Sequence, residues 1–310
     1  MRAPVDETQH EPNTDTETET EERARGDKYT PVWQTLQDCK RRVPAAIEQV
    51  GIGRWAGWTR TVLPPILMPH RSGVASKAYY KMKELQLSCA LPAPKHSVHL
   101  CEAPGGFIQA VASTPSLLSW KWDACTLQHG LIPRVDVLPM ANGNFFFADV
   151  MDYERTCARL AAGSADLVTA DGAVSMDHNA LETEHLPLLL AQIAVAFHCL
   201  HVGRGTLVIK FFEGRLDTTR QVLALLSTRF QRMSIIKPTT SKPTNSERYA
   251  VAYAFQGPTS PLCLPVRISR EWERDCLEPV LGRLANQQLH ALQQVLDRVP
   301  EKVKGPGVCA

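Results

Sequence analysis

Several familiar signals are missing from this chain of 310 residues, and each absence removes a class of function. No apolar stretch reaches the roughly 18 residues of a membrane span, and the N-terminus carries no hydrophobic signal region. The expectation is an intracellular soluble protein with no membrane partner, its compartment, nucleus or cytoplasm, left open. The nine cysteines never form Cys-x-x-Cys, so reduced thiols and no metal site are expected. Cys101, Cys125 and Cys199 lie inside apolar runs, where they read as small core residues. No Gly-x-Gly-x-x-Gly is present, which argues against a dinucleotide-dependent oxidoreductase. No internal repeat is present either. Net charge is nearly absent, at +2, but unevenly spread. The stretch "DETQHEPNTDTETETEE" is acidic and almost devoid of apolar residues, which predicts a solvated, disordered tail. The remainder is basic and suits a polyanionic partner such as RNA as well as it suits a merely solvated basic surface.

From about residue 96, short β-rich runs alternate with helical ones. "SVHLCEA", "WKWDACTL", "NFFFADV", "ADLVTADG", "TLVIKFF", "MSIIKPT" and "RYAVAYAF" read as strands. Helical spacing follows Phe107, covers Tyr153 to Ala161 and Glu184 to Leu200, and runs through Val222, Leu225 and Leu226. This alternation predicts an α/β fold, a mainly parallel sheet with helices on both faces. A polar segment joins the last two runs, so the final strand is expected to be antiparallel. Around this core, Trp33, Trp55 and Trp58 stand among Lys40, Arg41, Arg42, Arg54 and Arg60. That mixture fits base stacking with phosphate neutralisation, or a helical lid that buries its tryptophans. Leu277, Leu281, Leu284, Leu292, Leu296 and Val299 predict a C-terminal packing helix.

Ligands of such open sheets lie over the carboxyl ends of the strands. That rule selects Glu102 to Gly106, Asp149, Asp171 and Lys210 as a common rim. Gly105 and Gly106 fall at a strand-to-helix turn, which points backbone amides at whatever sits above it.

"CEAPGGF", "LVTADG", "LVIKFF" and "KPTTSKPTNSERYAV" occur in this order after matching strands. Over about residues 71 to 255 the chain resembles the FtsJ-like (RrmJ) family of S-adenosylmethionine-dependent RNA 2′-O-methyltransferases. The Lys-Pro, Thr-Ser, Asn-Ser-Glu-Arg-Tyr stretch is most similar to the mRNA cap ribose methyltransferases. The resemblance implies a Rossmann-like class I methyltransferase fold, S-adenosylmethionine as cofactor, and RNA as partner, a capped mRNA 5′ end in particular. The alternatives are a ribosomal or transfer RNA 2′-O-methyltransferase and a catalytically idle RNA-binding subunit. The implied division is a tail over 1–27 able to recruit transcription or capping machinery, a helical extension over 28–70, the methyltransferase domain over 71–258, and a second helical extension over 259–310.

The family's Lys-Asp-Lys-Glu tetrad maps onto Lys81 in "SKAYYKMKEL", Asp171, Lys210 and Glu247. The chemistry asks for these types independently. A ribose hydroxyl is a poor nucleophile near neutral pH, so a base must take its proton as it attacks in line with the departing sulfur. Lys210 is expected to be that base, with Lys81 orienting the hydroxyl, Asp171 facing the sulfonium, and Glu247 holding the lysines. Cofactor contacts implied by the resemblance are Glu102, Ala103, Pro104, Gly105, Gly106 and Phe107 at the methionine end. Thr126 or Gln128 stands for the ribose, with Asp149 and Val150 for adenine, and Asp171 again beside the sulfonium. Two departures stand out: His99 occupies a position where many members have aspartate, and the second strand ends without the usual ribose-binding acid. Arg71, Lys77, Lys242 and Arg248 bracket the tetrad and are expected to bind RNA phosphates. Tyr79, Tyr80 or the tryptophans could stack on a cap guanine.

Overall fold

The computed structural model describes residues 31–61, 73–114, 119–128, 133–134, 136–174, 181–257 and 268–300. The acidic tail and Arg71 lie outside the described residues. Among the described residues, no helix is long and apolar enough to cross a membrane.

Two helices come first, α1 (Pro31–Val50) and α2 (Ile52–Thr61), then α3 (Ala78–Ser88). The alternating core follows: β1 (His96–Leu100), α4 (Gly106–Ala112), β2 (Lys121–Thr126), β3 (Gly143–Phe147), α5 (Tyr153–Cys157), β4 (Leu167–Ala170), α6 (Leu181–Cys199), β5 (Thr206–Phe212), α7 (Asp217–Arg229), β6 (Phe230–Ile236) and β7 (Glu247–Phe255). A short turn of helix at Arg270–Trp272 leads through Glu273–Leu277 into α8 (Glu278–Leu296). The strands form one seven-stranded sheet in the order β3-β2-β1-β4-β5-β7-β6. All neighbours are parallel except β7, which runs antiparallel to both β5 and β6. The antiparallel last strand matches the expectation from the polar connection, since no crossover helix separates β6 from β7.

The sheet's two faces are packed by different helices, and strand alternation decides which residue meets which set. One face carries Leu207 and Ile209 of β5 and Ala250 and Ala252 of β7 in a cluster with Trp33 and Leu36 of α1, Ile193 of α6 and Leu281 of α8. The other carries Val208, Tyr249 and Val251 with Met82 and Leu85 of α3 and Phe107 and Ile108 of α4. Each fully buried leucine here contributes about 1.5–3 kcal/mol relative to exposure. Trp33 and Trp55 are buried and serve packing, while Trp58 is half-buried against the same cluster. Leu281, Leu284, Leu292 and Leu296 are likewise the buried stripe of α8.

Candidate active site

Both lysines and both acids of the sequence-derived set meet on the α3–α4 face of the sheet. Lys210, near the end of β5, points to the same face as Val208, two residues before it. Its Nζ lies 3.0 Å from Asp171 Oδ1 and donates to the Asp171 carbonyl at 2.6 Å. Asp171 directly follows β4, the strand beside β5. Lys81, on the first turn of α3, reaches across to the first residue of β7, with Nζ 2.7 Å from Glu247 Oε1 and 2.9 Å from Oε2. The two ion pairs are linked by a residue that the sequence reading missed. The buried Tyr249 hydroxyl lies 2.7 Å from Asp171 Oδ1 and 3.3 Å from Glu247 Oε1, and its one proton serves one acid at a time. Ser241 Oγ adds a 3.0 Å donor to Glu247 Oε1.

Burial and charge compete at each of these groups. Burial pushes the Asp171 carboxyl up, but the ammoniums of Lys210 and Lys81 and the Tyr249 hydroxyl outweigh it and hold the group below its ordinary range. Burial pulls Lys81 down, and Asp171 and Glu247 more than restore it, so Lys81 lies above its ordinary value. Burial beside the two carboxylates raises Tyr249 well above 10, keeping it a neutral donor.

The polar run that follows β6 is fastened around this site. Glu84, one turn along α3 from Lys81, accepts from Thr239 N at 2.6 Å, Thr240 N at 3.0 Å and Thr240 Oγ1 at 3.0 Å. Lys237 Nζ donates to Asn245 O, Asn245 Oδ1 and Glu247 O at 2.8, 2.6 and 3.0 Å. Burial pulls Lys237 down to about 7, against the raising effect of Glu247. Lys77 and Lys242 are exposed.

One expectation needs correction, and two others gain a structural reason. Arg248 cannot bind RNA from where it sits: it is 1% exposed and turned to the opposite face of the sheet, with its guanidinium 5.5 Å from the Trp33 ring centroid. The side chains of Glu102 and Phe107 have roles in the fold. The buried Glu102 carboxylate caps α4 by accepting from Phe107 N at 2.7 Å and Ile108 N at 3.3 Å, and the Phe107 ring is core. The glycine pair answers to the protein itself. Gly105 has φ 106, and a Cβ there would lie 2.8 Å from both terminal carbons of Leu138. At Gly106 it would lie 2.8 Å from Tyr79 N. The positive φ of Gly105 and the approach of Leu138 and of Tyr79 N are reasons within the protein for glycine at both positions.

His99 is buried between strands, with Nδ1 2.7 Å from Thr169 Oγ1 and Nε2 2.8 Å from Ser97 Oγ. Burial holds it down to about 3, so it is a neutral bridge inside the sheet, remote in role from the rim.

At the β2–β3 end of the same rim lies a cleft of about 400 Å³ lined by Leu127, Gln128, Phe147, Ala148, Asp149 and Arg155, among others. Its volume and its mix of apolar and polar walls fit the adenosyl end of the cofactor that the resemblance implies. One oxygen of Asp149 accepts from Met151 N at 2.9 Å, which fixes the carboxylate at the cleft. Thr126 and Val150 are buried beside it. Ala103 and Pro104, half-buried, are the parts of the glycine turn that reach the surface, so they and Asp171 remain for the other end.

A family model described as FtsJ-like methyltransferase matches residues 74–255. Cap-specific mRNA (nucleoside-2'-O-)-methyltransferase 2 of Danio rerio is 33% identical over 186 residues, which is 52% of this chain and 25% of that protein. The chain thus spans about a quarter of that relative. Ribosomal RNA large subunit methyltransferase E of Rhodopseudomonas palustris is 29% identical over 199 residues, 63% of this chain and 82% of the relative. The enzyme of the same name from Delftia acidovorans is 30% identical over 201 residues, 62% of this chain and 90% of the relative.

Proposed function

This chain belongs to the FtsJ-like methyltransferase family, whose members depend on S-adenosylmethionine, and on that footing we propose that it methylates ribose 2′-hydroxyls of RNA at the Lys81, Asp171, Lys210, Glu247 cluster. The observation that carries the reading is the continuous chain of contacts from Lys81 through Glu247, Tyr249 and Asp171 to Lys210. S-adenosylmethionine, when bound, supplies the methyl group and a good leaving group. Thr126, Asp149 and Val150 would hold its adenosyl end, and Ala103, Pro104 and Asp171 its other end.

The chain's own work is on the hydroxyl. Lys210 Nζ takes the proton as the oxygen attacks, for which it must be in the amine form. Lys81, held by Glu247, orients the hydroxyl. Asp171 and Glu247 keep both lysines within reach, and the Tyr249 hydroxyl fixes the two acids relative to each other. Lys77 and Lys242 neutralise backbone phosphates and so position the strand without reading its sequence.

For the substrate we favour the beginning of a capped transcript. The Lys237 to Tyr249 run and the Danio rerio relative support this. A ribosomal RNA substrate is the second reading, supported by relatives that the chain covers along 82% and 90% of their length. Labelled S-adenosylmethionine with matched capped and uncapped RNAs, followed by nuclease mapping, tests both. Label on ribose in capped RNA alone is expected. Equal labelling of the two RNAs selects the second reading, and label on a base overturns the chemistry.

A further inference from the structure

The family match begins at residue 74 and ends at 255, yet two helices outside it grip the strands that carry Lys210 and Glu247. From α1, Lys40 Nζ donates to Ser246 Oγ at 2.9 Å and pairs with the Glu213 carboxylate. One turn earlier, Gln37 Nε2 donates to Glu213 Oε2 at 3.0 Å. From α8, Gln288 Nε2 reaches Thr244 O at 3.2 Å and Ser246 Oγ at 3.5 Å. Ser246 Oγ in turn donates to Glu213 Oε1 at 3.2 Å, and Glu213 N donates to Ser246 O at 3.1 Å.

These contacts sit next to the chemistry. Ser246 immediately precedes Glu247, and Glu213 comes three residues after Lys210. The strands themselves pair Phe212 with Glu247 and Lys210 with Tyr249. Glu213 has φ 49, a left-handed conformation that a non-glycine residue keeps only when its surroundings hold it. Lys40, Gln37 and Ser246 are among those surroundings, with Arg215 Nε farther off at 3.9 Å from Glu213 Oε2. Both Glu213 and Ser246 are buried, so their bonds are formed away from competing water.

We propose that Lys40 is a positioning residue for methyl transfer: by joining Glu213 to Ser246 from α1, it fixes the end of β5 against the start of β7 and thereby the spacing of Lys210 and Glu247. This rests on the 2′-O-methylation reading for its kinetic consequence, but not for the coupling itself. The helices flanking the family core then act as working parts of the site, since a supporting shell left loose by an ångström can cost about a hundredfold in rate.

The test uses the full chain with Lys40→Met, which keeps the stem and removes the charge, Lys40→Arg, and Leu36→Ala as a packing control on the same helix. Expected for Lys40→Met is a kcat loss of about tenfold to a hundredfold, an unchanged KM for S-adenosylmethionine, and faster amide exchange at Glu213. Lys40→Arg restores most of the rate, whereas Leu36→Ala lowers the melting temperature without that kcat loss. An unaltered kcat in Lys40→Met overturns the proposal. So does a loss that follows melting temperature alike in Lys40→Met and Leu36→Ala and is not rescued by arginine. Should the wild-type chain methylate neither capped nor uncapped RNA, the functional reading falls, and Glu213 exchange alone decides: acceleration in Lys40→Met upholds the coupling, no change rejects it.

Discussion

Tyr249→Phe removes one oxygen atom from the middle of the cluster and leaves the ring in place. That ring is fully buried, with its centroid 6.1 Å from that of Phe107, so packing is conserved. The one donor lost serves Asp171 Oδ1 at 2.7 Å or Glu247 Oε1 at 3.3 Å. A hydrogen bond to a charged group is worth about 1.5–3 kcal/mol net. Each oxygen keeps other partners, Lys210 at 3.0 Å for Asp171, and Lys81 at 2.7 Å with Ser241 at 3.0 Å for Glu247. The loss therefore belongs near the lower end, about 1.5–2 kcal/mol at pH 7, read by urea unfolding. The pH dependence adds a sign. Asp171 is held below its ordinary value in the folded state by Lys210, Lys81 and Tyr249 against the opposing effect of burial. Its stabilisation is present above the unfolded aspartate value of about 3.9 and is lost as pH falls through the folded value. The hydroxyl contributes chiefly while Asp171 is ionised, so the gap between wild type and Tyr249→Phe should hold from pH 7 down to about 3.9 and narrow only as pH falls through the lower folded value. A gap under about 0.5 kcal/mol at pH 7 would refute the bridging role.

Lys210→Met should lower kcat by about 10²–10⁴ with S-adenosylmethionine affinity preserved in calorimetry; a variant that keeps more than about a tenth of the rate is incompatible with Lys210 as base. Glu102→Gln tests a buried acid whose value is raised to about 8 by burial and by Asp171, against the amides of Phe107 and Ile108. Between its unfolded value near 4.3 and about 8, the folded state binds the extra proton, so wild-type stability falls as pH rises. The glutamine variant should show a flatter profile across that window, and an unchanged slope would exclude Glu102 as its source. Lys242→Ala should lower the slope of log affinity for RNA against log salt by about one phosphate contact, while Arg248→Met leaves the slope unchanged. The opposite pattern in filter-binding titrations would return Arg248 to the interface.

The succession of strands along the chain was readable because each apolar run is short, bounded by turn formers, and, until the last pair, mostly followed by a run of helical period. The convergence of Lys210 and Asp171 follows from strand ends alone. Arg248 and Tyr249 show how the same logic could have gone further. Side chains alternate along a strand, so placing Glu247 at the site sends Arg248 to the other face and brings Tyr249 back beside it. The signal was in the sequence. The reason for Gly105 and Gly106 was not, because it lies in the approach of Leu138 and of Tyr79 N, segments whose path no periodicity reveals. The His99 bridge was hidden for a similar cause: its partners Thr169 and Ser97 are brought together by the β1–β4 pairing.

The cluster is expensive to keep as mere structure. Two ammoniums and two carboxylates are withdrawn from water, and a buried ion pair commonly repays its desolvation no better than an apolar pair of the same shape would. Here the face around it offers such a replacement at hand, with Val208, Val251, Met82 and Phe107 already forming apolar core. Nor does the cluster hold the sheet together, since β5 and β7 pair along six registered positions from Leu207 to Phe212. What the charges do provide is two lysine nitrogens, Lys210 beside Asp171 and Lys81 beside Glu247, each fixed by one acid, with a single hydroxyl keeping the acids in register. Under the proposed methylation, one of these nitrogens would serve as base and the other as a second cation for a weakly acidic alcohol. The same economy explains the buried polar knot of Lys40, Glu213 and Ser246 behind it. It lies where β5 ends and β7 begins, the place where a small shift would be felt at Lys210 and Glu247 together.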